Sequence, residues 1–213
     1  MRRNKFGKYY CKIALTGGPC AGKTTSLGKI AVDMVKVHPD WQVFRVAEAA
    51  TLLSNGGVFR KDLSGDQLLE WQEGILLTIL RLEDVYERIA MAEQKRNTLL
   101  ICDRGGLDAK VYAETEHWSK ILLRNSLSEN ELLYRYDAVL HLRSAPEIYY
   151  TKVTNTQRRE SFHEAKVMDE KYVDVWKNHF RYNSIDNGNG GFDQKIDECV
   201  QIISQLINEI REK

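Results

Sequence analysis

A glycine-rich run near the start of the chain constrains this sequence more than any other feature. Residues 17–25 read GGPCAGKTT and fit the pattern GxxxxGK[ST]. An apolar stretch precedes the run and an amphipathic stretch follows it, which predicts a strand, a loop and then a helix. A loop of this kind is predicted to bind phosphate groups. Its predicted contacts are Gly17, Gly18, Pro19, Cys20, Ala21, Gly22, Lys23, Thr24 and Thr25.

The chemistry of a phosphate chain explains the residue types in this run. Glycines let the backbone turn tightly and point successive N–H groups inward, and the positive end of the following helix faces the same anion. Lys23 is expected at the β- and γ-phosphates, and Thr24 is expected to supply a hydroxyl ligand for Mg²⁺. Cys20 is either a small filler or a thiol that the helix N-terminus activates. The predicted ligand is ATP or GTP with Mg²⁺.

The rest of the chain alternates short apolar runs with longer stretches of helical spacing. The predicted strands span residues 9–15, 42–46, 98–102, 136–142 and 182–185. The predicted helices span residues 23–37, 65–94 (bent or broken), 144–153, 162–178 and 192–211. This alternation predicts a three-layer α/β fold, with a short parallel sheet and helices on both faces. We expect one domain over residues 1–213, with a flexible segment at residues 1–8.

A second candidate ligand for Mg²⁺ follows the apolar run at residues 98–102. Asp103 comes directly after this run, where a phosphate-loop enzyme needs a carboxylate for Mg²⁺ or its waters. The next residue is Arg104, whereas motor-type ATPases place a glutamate there to polarise water. An arginine instead indicates contact with a bound anion or a second substrate. Residues 103–106 also fit the short DxxG pattern of GTPases, but no NKxD pattern follows.

Glu48 lies just past the predicted second strand, in the segment RVAEAAT. Ligands bind at the carboxyl edge of parallel sheets, and a carboxylate there can bind an attacking hydroxyl group or accept its proton. Glu48 is either this base or an ordinary loop glutamate.

Four further residues are candidates. Arg158 and Arg159 lie between two helical stretches and are predicted to form a lid that closes over the phosphates. Arg143 follows a predicted strand and could face the same site. Asn187 begins a loop that could contact a purine base.

Composition excludes several classes of protein. The chain has 213 residues with 31 Lys plus Arg and 30 Asp plus Glu, so its net charge of +1 argues against a nucleic-acid binder. No apolar run approaches the roughly 20 residues that a spanning helix needs. The four cysteines are far apart and form no CxxC pair, which predicts reduced thiols, no zinc site and a cytoplasmic location. The oligomeric state stays open.

Three segments together resemble a known family. Residues 15–25 (LTGGPCAGKTT), 44–51 (FRVAEAAT) and 102–105 (CDRG) are similar to the AAA-labelled ATPase/kinase domain. NadR, in its ribosylnicotinamide kinase half, and the TRPL translocation defect proteins share this domain. The resemblance extends from residue 12 to the last helix. It implies a phosphate-loop NTPase fold with a kinase-like lid, the aspartate role for Asp103 and the lid role for Arg158 or Arg159. Lipid binding is not implied, because the lipid-binding domain of the TRPL proteins has no counterpart.

Two functions follow from these observations. The first is a kinase that transfers the γ-phosphoryl group of ATP to a small-molecule acceptor, such as a nucleoside, a nucleotide or a ribosylnicotinamide-like compound. Lys23, Glu48, Asp103, Arg104, Arg158 and Arg159 are its predicted catalytic residues. The alternative is an ATP- or GTP-binding switch, or a slow NTPase, with a role in trafficking or regulation.

Overall fold

The computed structural model describes residues 2–19, 21–144, 162–188 and 191–211. Its strands are β1 (Arg2–Arg3), β2 (Tyr9–Thr16), β3 (Trp41–Val46), β4 (Asn97–Asp103), β5 (Ala138–Leu142) and β6 (Tyr182–Ile185). Its α-helices are α1 (Lys23–Val37), α2 (Ala49–Asn55), α3 (Gly65–Ala92), α4 (Thr115–Arg124), α5 (Glu129–Leu133), α6 (Phe162–Trp176) and α7 (Gly191–Arg211). Two short 3₁₀ helices cover Arg60–Asp62 and Gly106–Tyr112.

The strands form a single sheet in the order β3-β4-β2-β5-β6. These five strands are parallel, and β1 pairs antiparallel with the start of β2. In the register, Leu15 of β2 lies beside Asp103 of β4 on one side and Leu140 of β5 on the other. The carboxyl ends of the central strands are therefore level, and the residues that follow them meet at one edge of the sheet.

Alternate side chains of the central strand pack into different halves of the core, as the two-residue period of a strand requires. Ile13 and Leu15 pack into the half that also contains α1 and α7. Ala14 packs into the other half, with α3 and α6. Fully burying a side chain of leucine or isoleucine size contributes about 1.5–3 kcal/mol, so both halves hold the sheet in place.

Most predicted elements are found within one to three residues of their expected bounds, but the long helix is different. Residues 65–94 were expected to be bent or broken, whereas α3 is a continuous helix of 28 residues. Its buried positions include Leu69, Gln72, Ile75 and Leu76, which recur at helical spacing and keep one face against the sheet. A Cβ on Gly74 would meet nothing within 4 Å, so this glycine marks no tight turn.

The segment expected to be flexible at residues 1–8 contains β1, and Asn4 donates from Nδ2 to the carbonyl oxygens of Ala90 and Glu93 at 3.1 and 2.7 Å. Its flexibility stays a prediction. One further expectation differs from the structure. The strand predicted from residue 136 begins at Ala138, because the Lys12 N–H of β2 donates to Oδ2 of the Asp137 side chain at 2.7 Å rather than to a backbone carbonyl oxygen. Most of the helix predicted at residues 144–153 lies outside the described residues.

Candidate functional site

The glycines at the two ends of the phosphate loop have backbone conformations that other residues rarely adopt. Gly17 has φ 138° and Gly22, which caps α1, has φ 82°. A Cβ on Gly17 would overlap the carbonyl oxygen of Leu142, and one on Gly22 would lie 2.6 Å from Cε2 of Phe192. Both positions therefore require glycine for conformation and for space.

The lysine of the loop is held by the loop itself. Its Nζ donates to the carbonyl oxygens of Gly17 and Gly18 at 2.7 and 2.8 Å. Burial, together with the nearby Arg104 guanidinium, lowers the pKa of Lys23 to about 7. Asp103 and Glu48 act on the same pKa in the opposite direction, so all four predicted side chains share one electrostatic environment.

Some of the other loop residues are hydrogen-bonded to the rest of the protein, and others are exposed to solvent. The Gly18 N–H donates to Oδ1 of Asp169 at 3.1 Å, and the Ser144 hydroxyl donates to the Pro19 carbonyl oxygen at 3.0 Å. Ala21 is buried, whereas Thr24 and Thr25 are exposed on the first turn of α1. The predicted contact at Cys20 lies outside the described residues.

Asp103 ends β4 and is 7% exposed. Burial raises its pKa above the ordinary aspartate value, the Glu48 carboxylate adds to that rise, and Lys23 opposes it. Among the described residues, no group of three or more His, Cys, Asp or Glu side chains could hold a metal ion. Mg²⁺ commonly takes one or two carboxylates and completes its shell with phosphates and waters. Asp103 and the Thr24 hydroxyl are therefore a donor set that fits Mg²⁺ bound together with a nucleotide.

Arg104 connects the carboxyl edge of β4 to that of β3. Its backbone has φ 76°, and its N–H donates to the Leu15 carbonyl oxygen at 3.0 Å. The guanidinium donates from Nε to Oε1 of Glu48 at 2.6 Å, and from Nη1 to the Tyr172 hydroxyl at 2.6 Å. Burial alone would lower the pKa of Arg104, but neighbouring Tyr172, Tyr112 and Glu48 raise it above the ordinary value. Arg104 is therefore permanently charged.

Glu48 is the other half of this ion pair. It lies two residues past the end of β3, immediately before α2. Burial would raise the pKa of Glu48, but the Arg104 guanidinium and the Thr51 hydroxyl, which donates at 2.7 Å, hold it below the ordinary value. The side chain is about a quarter exposed, so the carboxylate is ionised and accessible at neutral pH.

Asp108 holds the elements around the site together through hydrogen bonds, although its role was not predicted from the sequence. It is 2% exposed and accepts from the Thr16 hydroxyl and from Nε1 of Trp176, both at 2.6 Å. The Gly105 N–H donates to its other oxygen at 3.2 Å. Asp108 thus fixes the end of β2, helix α6 and the turn after Asp103. An aspartate flanked by Leu107 and Ala109 is the signal that could have revealed it.

A cavity of about 100 Å³ opens beside the Glu48–Arg104 pair. Helix α3 supplies much of its wall through Trp71, Gln72, Ile75 and Ile79, and Ala109 and Tyr112 supply another part. The sequence reasoning missed these residues. The available signal was Gln72, a polar side chain at a position where the helical spacing of α3 calls for an apolar one.

The remaining predicted residues are placed apart from the cavity or cannot be placed. Arg143 contacts Asp169, with 3.0 Å between Nε and Oδ2, next to the phosphate loop. Asn187 donates from Nδ2 to the Ser144 carbonyl oxygen at 3.0 Å, so its side chain joins the loops that follow β5 and β6. Arg158 and Arg159 lie outside the described residues.

Comparison with known proteins agrees with this fold. A family model described as an AAA domain matches residues 12–195. No curated protein matches the chain in sequence. Among solved structures, the chain is similar to a thymidylate kinase from Ehrlichia chaffeensis, with a TM-score of 0.60 and 12% identity over 92% of this chain and 99% of that one. This likeness concerns the fold and confirms the predicted α/β architecture. Within the described ranges, none of the helices is both long and apolar enough to cross a bilayer.

Proposed function

The chain belongs to the AAA domain family, and on that premise we propose that it is a small-molecule kinase. It transfers the γ-phosphoryl group of ATP, with Mg²⁺, to a hydroxyl group of an acceptor. GTP is the alternative donor. The acceptor binds in the cavity beside Glu48 and Arg104, and the nucleotide binds at the phosphate loop. Nucleosides, nucleotides and ribosylnicotinamide-like compounds are the acceptor candidates.

The observation that carries the proposal is the ion pair between Glu48 and Arg104. The pair joins the ends of the neighbouring strands β3 and β4, and both of its residues line the cavity. Its arginine directly follows Asp103 in the chain. A hydroxyl group in the cavity would meet a carboxylate that is ionised and held in position by two donors. This arrangement suits an acceptor substrate better than a water molecule, because the cavity walls are largely apolar.

In the transfer step, the acceptor hydroxyl oxygen forms a bond to the γ-phosphorus as the bond from that phosphorus to the β–γ bridging oxygen breaks. ADP leaves with the electron pair of that bond, and the hydroxyl proton passes to the Glu48 carboxylate. Lys23 supplies positive charge to the β- and γ-phosphates, as the lysine of this motif does. When bound by Thr24 and Asp103, Mg²⁺ would neutralise phosphate charge. Positioning and charge neutralisation provide most of the catalysis in phosphoryl transfer.

The switch alternative is less consistent with how residues 103–106 are packed. A Cβ on Gly105 would lie 2.8 Å from the Trp176 ring, and the Gly106 N–H donates to the Tyr136 hydroxyl at 2.7 Å. Switch loops that order and disorder with the nucleotide need weaker attachment than this. This packing favours a rigid segment at residues 103–106, as a kinase needs, over a switch loop.

The kinase proposal is tested by measuring ADP release with Mg²⁺, ATP and a panel of nucleosides, nucleotides, ribosylnicotinamide and simple polyols. We expect release that depends on one acceptor class and yields the phosphorylated acceptor. Glu48→Gln should lower kcat by about 10²–10⁴-fold, the range for loss of a general base, with ATP binding kept. Glu70→Gln, at an exposed position on α3, is the matched control. ADP release that no acceptor alters would contradict the proposal.

A further inference from the structure

Two residues that line the acceptor cavity each carry a buried polar atom with no hydrogen-bond partner among the described residues. Oε1 of Gln72 and Nε1 of Trp71 are both buried and unpartnered within the described part of the chain. Both side chains line the cavity beside Glu48 and Arg104. A buried polar group without a partner costs about 1–3 kcal/mol, so such atoms in a binding cavity indicate groups that the ligand satisfies.

The identity of each unpartnered atom is fixed by its surroundings. Nε2 of Gln72 donates to the Tyr112 carbonyl oxygen at 2.8 Å. A carbonyl oxygen only accepts, so the amide nitrogen must face Tyr112, and Oε1 is left to accept from something else. The indole Nε1–H of Trp71 can only donate. The ligand must therefore bring one hydrogen-bond donor and one acceptor.

The other residues that line the cavity indicate the shape and charge of the ligand that would fit it. Ile75, Ile79 and Ala50 provide apolar surface, and Trp71, whose indole ring is planar, lines the same cavity. Among the lining residues that the structure describes, four are charged and their formal charges cancel, with Glu48 and Asp108 negative and Arg60 and Arg104 positive. A planar, uncharged ring fits such a cavity, since a net charge on the ring would lack a counter-ion.

We propose that the cavity selects a neutral nucleoside-type acceptor, whose planar heterocycle donates an N–H to Oε1 of Gln72 and accepts from Nε1 of Trp71. This specificity rests on the proposed kinase function, because the sugar of such a compound supplies the hydroxyl group for Glu48. Compounds with a charged ring, such as a pyridinium nucleoside, and polyols without a ring bind more weakly.

Binding of the acceptor is measured by calorimetry in the presence of Mg²⁺ and ADP, with uridine, thymidine, cytidine, adenosine, guanosine, ribosylnicotinamide, uridine monophosphate and ribose as probes. We expect at least one neutral nucleoside to bind and ribose to bind at least about tenfold more weakly, the factor that corresponds to 1.4 kcal/mol. Gln72→Leu should weaken binding of that nucleoside by about tenfold or more. Gln67→Leu, at an exposed position on the same helix, is the matched control and should change nothing.

Two further comparisons separate recognition from a general loss of structure. An analogue of the bound nucleoside whose donating nitrogen is fully methylated should bind wild-type protein more weakly but bind Gln72→Leu as well as the parent nucleoside does. That nitrogen is the ring N–H of uridine, thymidine or guanosine, or the exocyclic amino group of adenosine or cytidine. Trp71→Phe should weaken binding of the nucleoside, whereas Trp41→Phe should not. Nε1 of Trp41 also lacks a partner among the described residues, but it lies in the core and Trp41 does not line the cavity. ADP affinity should be equal in all variants.

The outcomes for the two proposals are distinguishable. Phosphoryl transfer to polyols or to ribosylnicotinamide, with Gln72→Leu unchanged, would overturn the specificity and leave the kinase function intact. Nucleoside binding that depends on Gln72 without any phosphoryl transfer would support the specificity and overturn the kinase function. If no probe binds and none is phosphorylated, both proposals are overturned.

Discussion

Individual residues of the phosphate loop are constrained by their backbone rather than by side-chain chemistry. Gly17 combines a positive φ with a close approach to Leu142. By contrast, a Cβ on Gly28 in α1 would meet only Nη1 of Arg45 at 3.9 Å. Substitution by alanine should therefore have opposite effects on stability at Gly17 and at Gly28.

We expect Gly17→Ala to abolish measurable ATP binding and to lower stability, because Cβ would displace Leu142 or open the loop. Gly28→Ala should raise the free energy of unfolding by about 0.5–1 kcal/mol, the helical preference of alanine over glycine, and should leave ATP binding unchanged. Urea unfolding and calorimetric titration with Mg²⁺ and ATP measure both effects. Normal ATP affinity in Gly17→Ala would show that the loop does not contact the nucleotide as proposed.

The side chain of Lys23 tests the same loop without changing its backbone. Lys23→Ala should weaken ATP binding by about tenfold or more, since hydrogen bonds to a charged group are worth about 1.5–3 kcal/mol. The half-buried lysine contributes little to the core, so the thermal unfolding midpoint should change little. Wild-type affinity and activity in this variant would contradict the assignment of the site.

At the scale of elements, a buried ion cluster joins helix α3 to the sheet. Glu83 on α3 is fully buried and accepts from Nζ of Lys12 at 2.9 Å, from Nε of Arg135 at 3.1 Å and from the Tyr136 hydroxyl at 2.6 Å. Lys12 lies in β2, so the cluster fixes the helix that carries the cavity wall against the central strand. Removing one partner of such a cluster leaves a buried charge uncompensated.

Glu83→Ala should lower the free energy of unfolding by about 3–5 kcal/mol. Glu70→Ala on the same helix should cost at most about 1 kcal/mol, because Glu70 contacts Arg124 at an exposed position. Chemical unfolding of both variants gives the comparison. A loss of less than 1 kcal/mol in Glu83→Ala would mean that packing alone holds α3 in place.

The elements were largely predictable from the sequence because their signals are local. Periodicity located α1, β4 and α7, and the glycine pattern located the loop between β2 and α1. Helices α2, α4 and α5 were not predicted, since they are short and bury few residues. The bounds of α3 were predicted to within two residues, but its continuity was not, because continuity depends on packing against the sheet, which no single window of sequence contains.

At the scale of the whole molecule, one buried aspartate connects regions distant in the chain. Asp169 of α6 accepts from the Gly18 N–H and contacts His141 of β5, with 3.0 Å between Nε2 and Oδ1, and Arg143 just beyond β5. The phosphate loop, the sheet and the helix after residue 161 are therefore joined at a single carboxylate. Sequence reasoning identified Asp169 only as part of a helix, because the partners come together through the strand order.

Burial would raise the pKa of Asp169, but His141, Gly18 and Arg143 hold it below the ordinary aspartate value. A carboxyl group whose pKa is lowered by folding stabilises the protein above its unfolded pKa, and this contribution is lost as pH falls through the folded pKa. We expect Asp169→Asn to lower the free energy of unfolding by about 1–3 kcal/mol at pH 7. The difference from wild type should shrink as the pH is lowered below about 3.8, the ordinary aspartate value.

Urea unfolding of both proteins at pH 7 and near pH 3 measures this convergence. Asp174→Asn is the control, because Asp174 lies on the same helix and its ion pair with Lys177 is exposed. A stability difference between Asp169→Asn and wild type that is the same at both pH values would contradict the ionised, multiply bonded carboxylate.

The contacts that Lys23 makes with its own loop also affect which anions the resting protein can admit. The Lys23 ammonium group already donates to two carbonyl oxygens at 2.7 and 2.8 Å, and an incoming anion must replace these hydrogen bonds. Inorganic phosphate can offer the lysine a replacement but reaches few of the surrounding amides, whereas a polyphosphate chain occupies the length of the loop. Free phosphate and sulfate in the surrounding solution should therefore be poor competitors for this site.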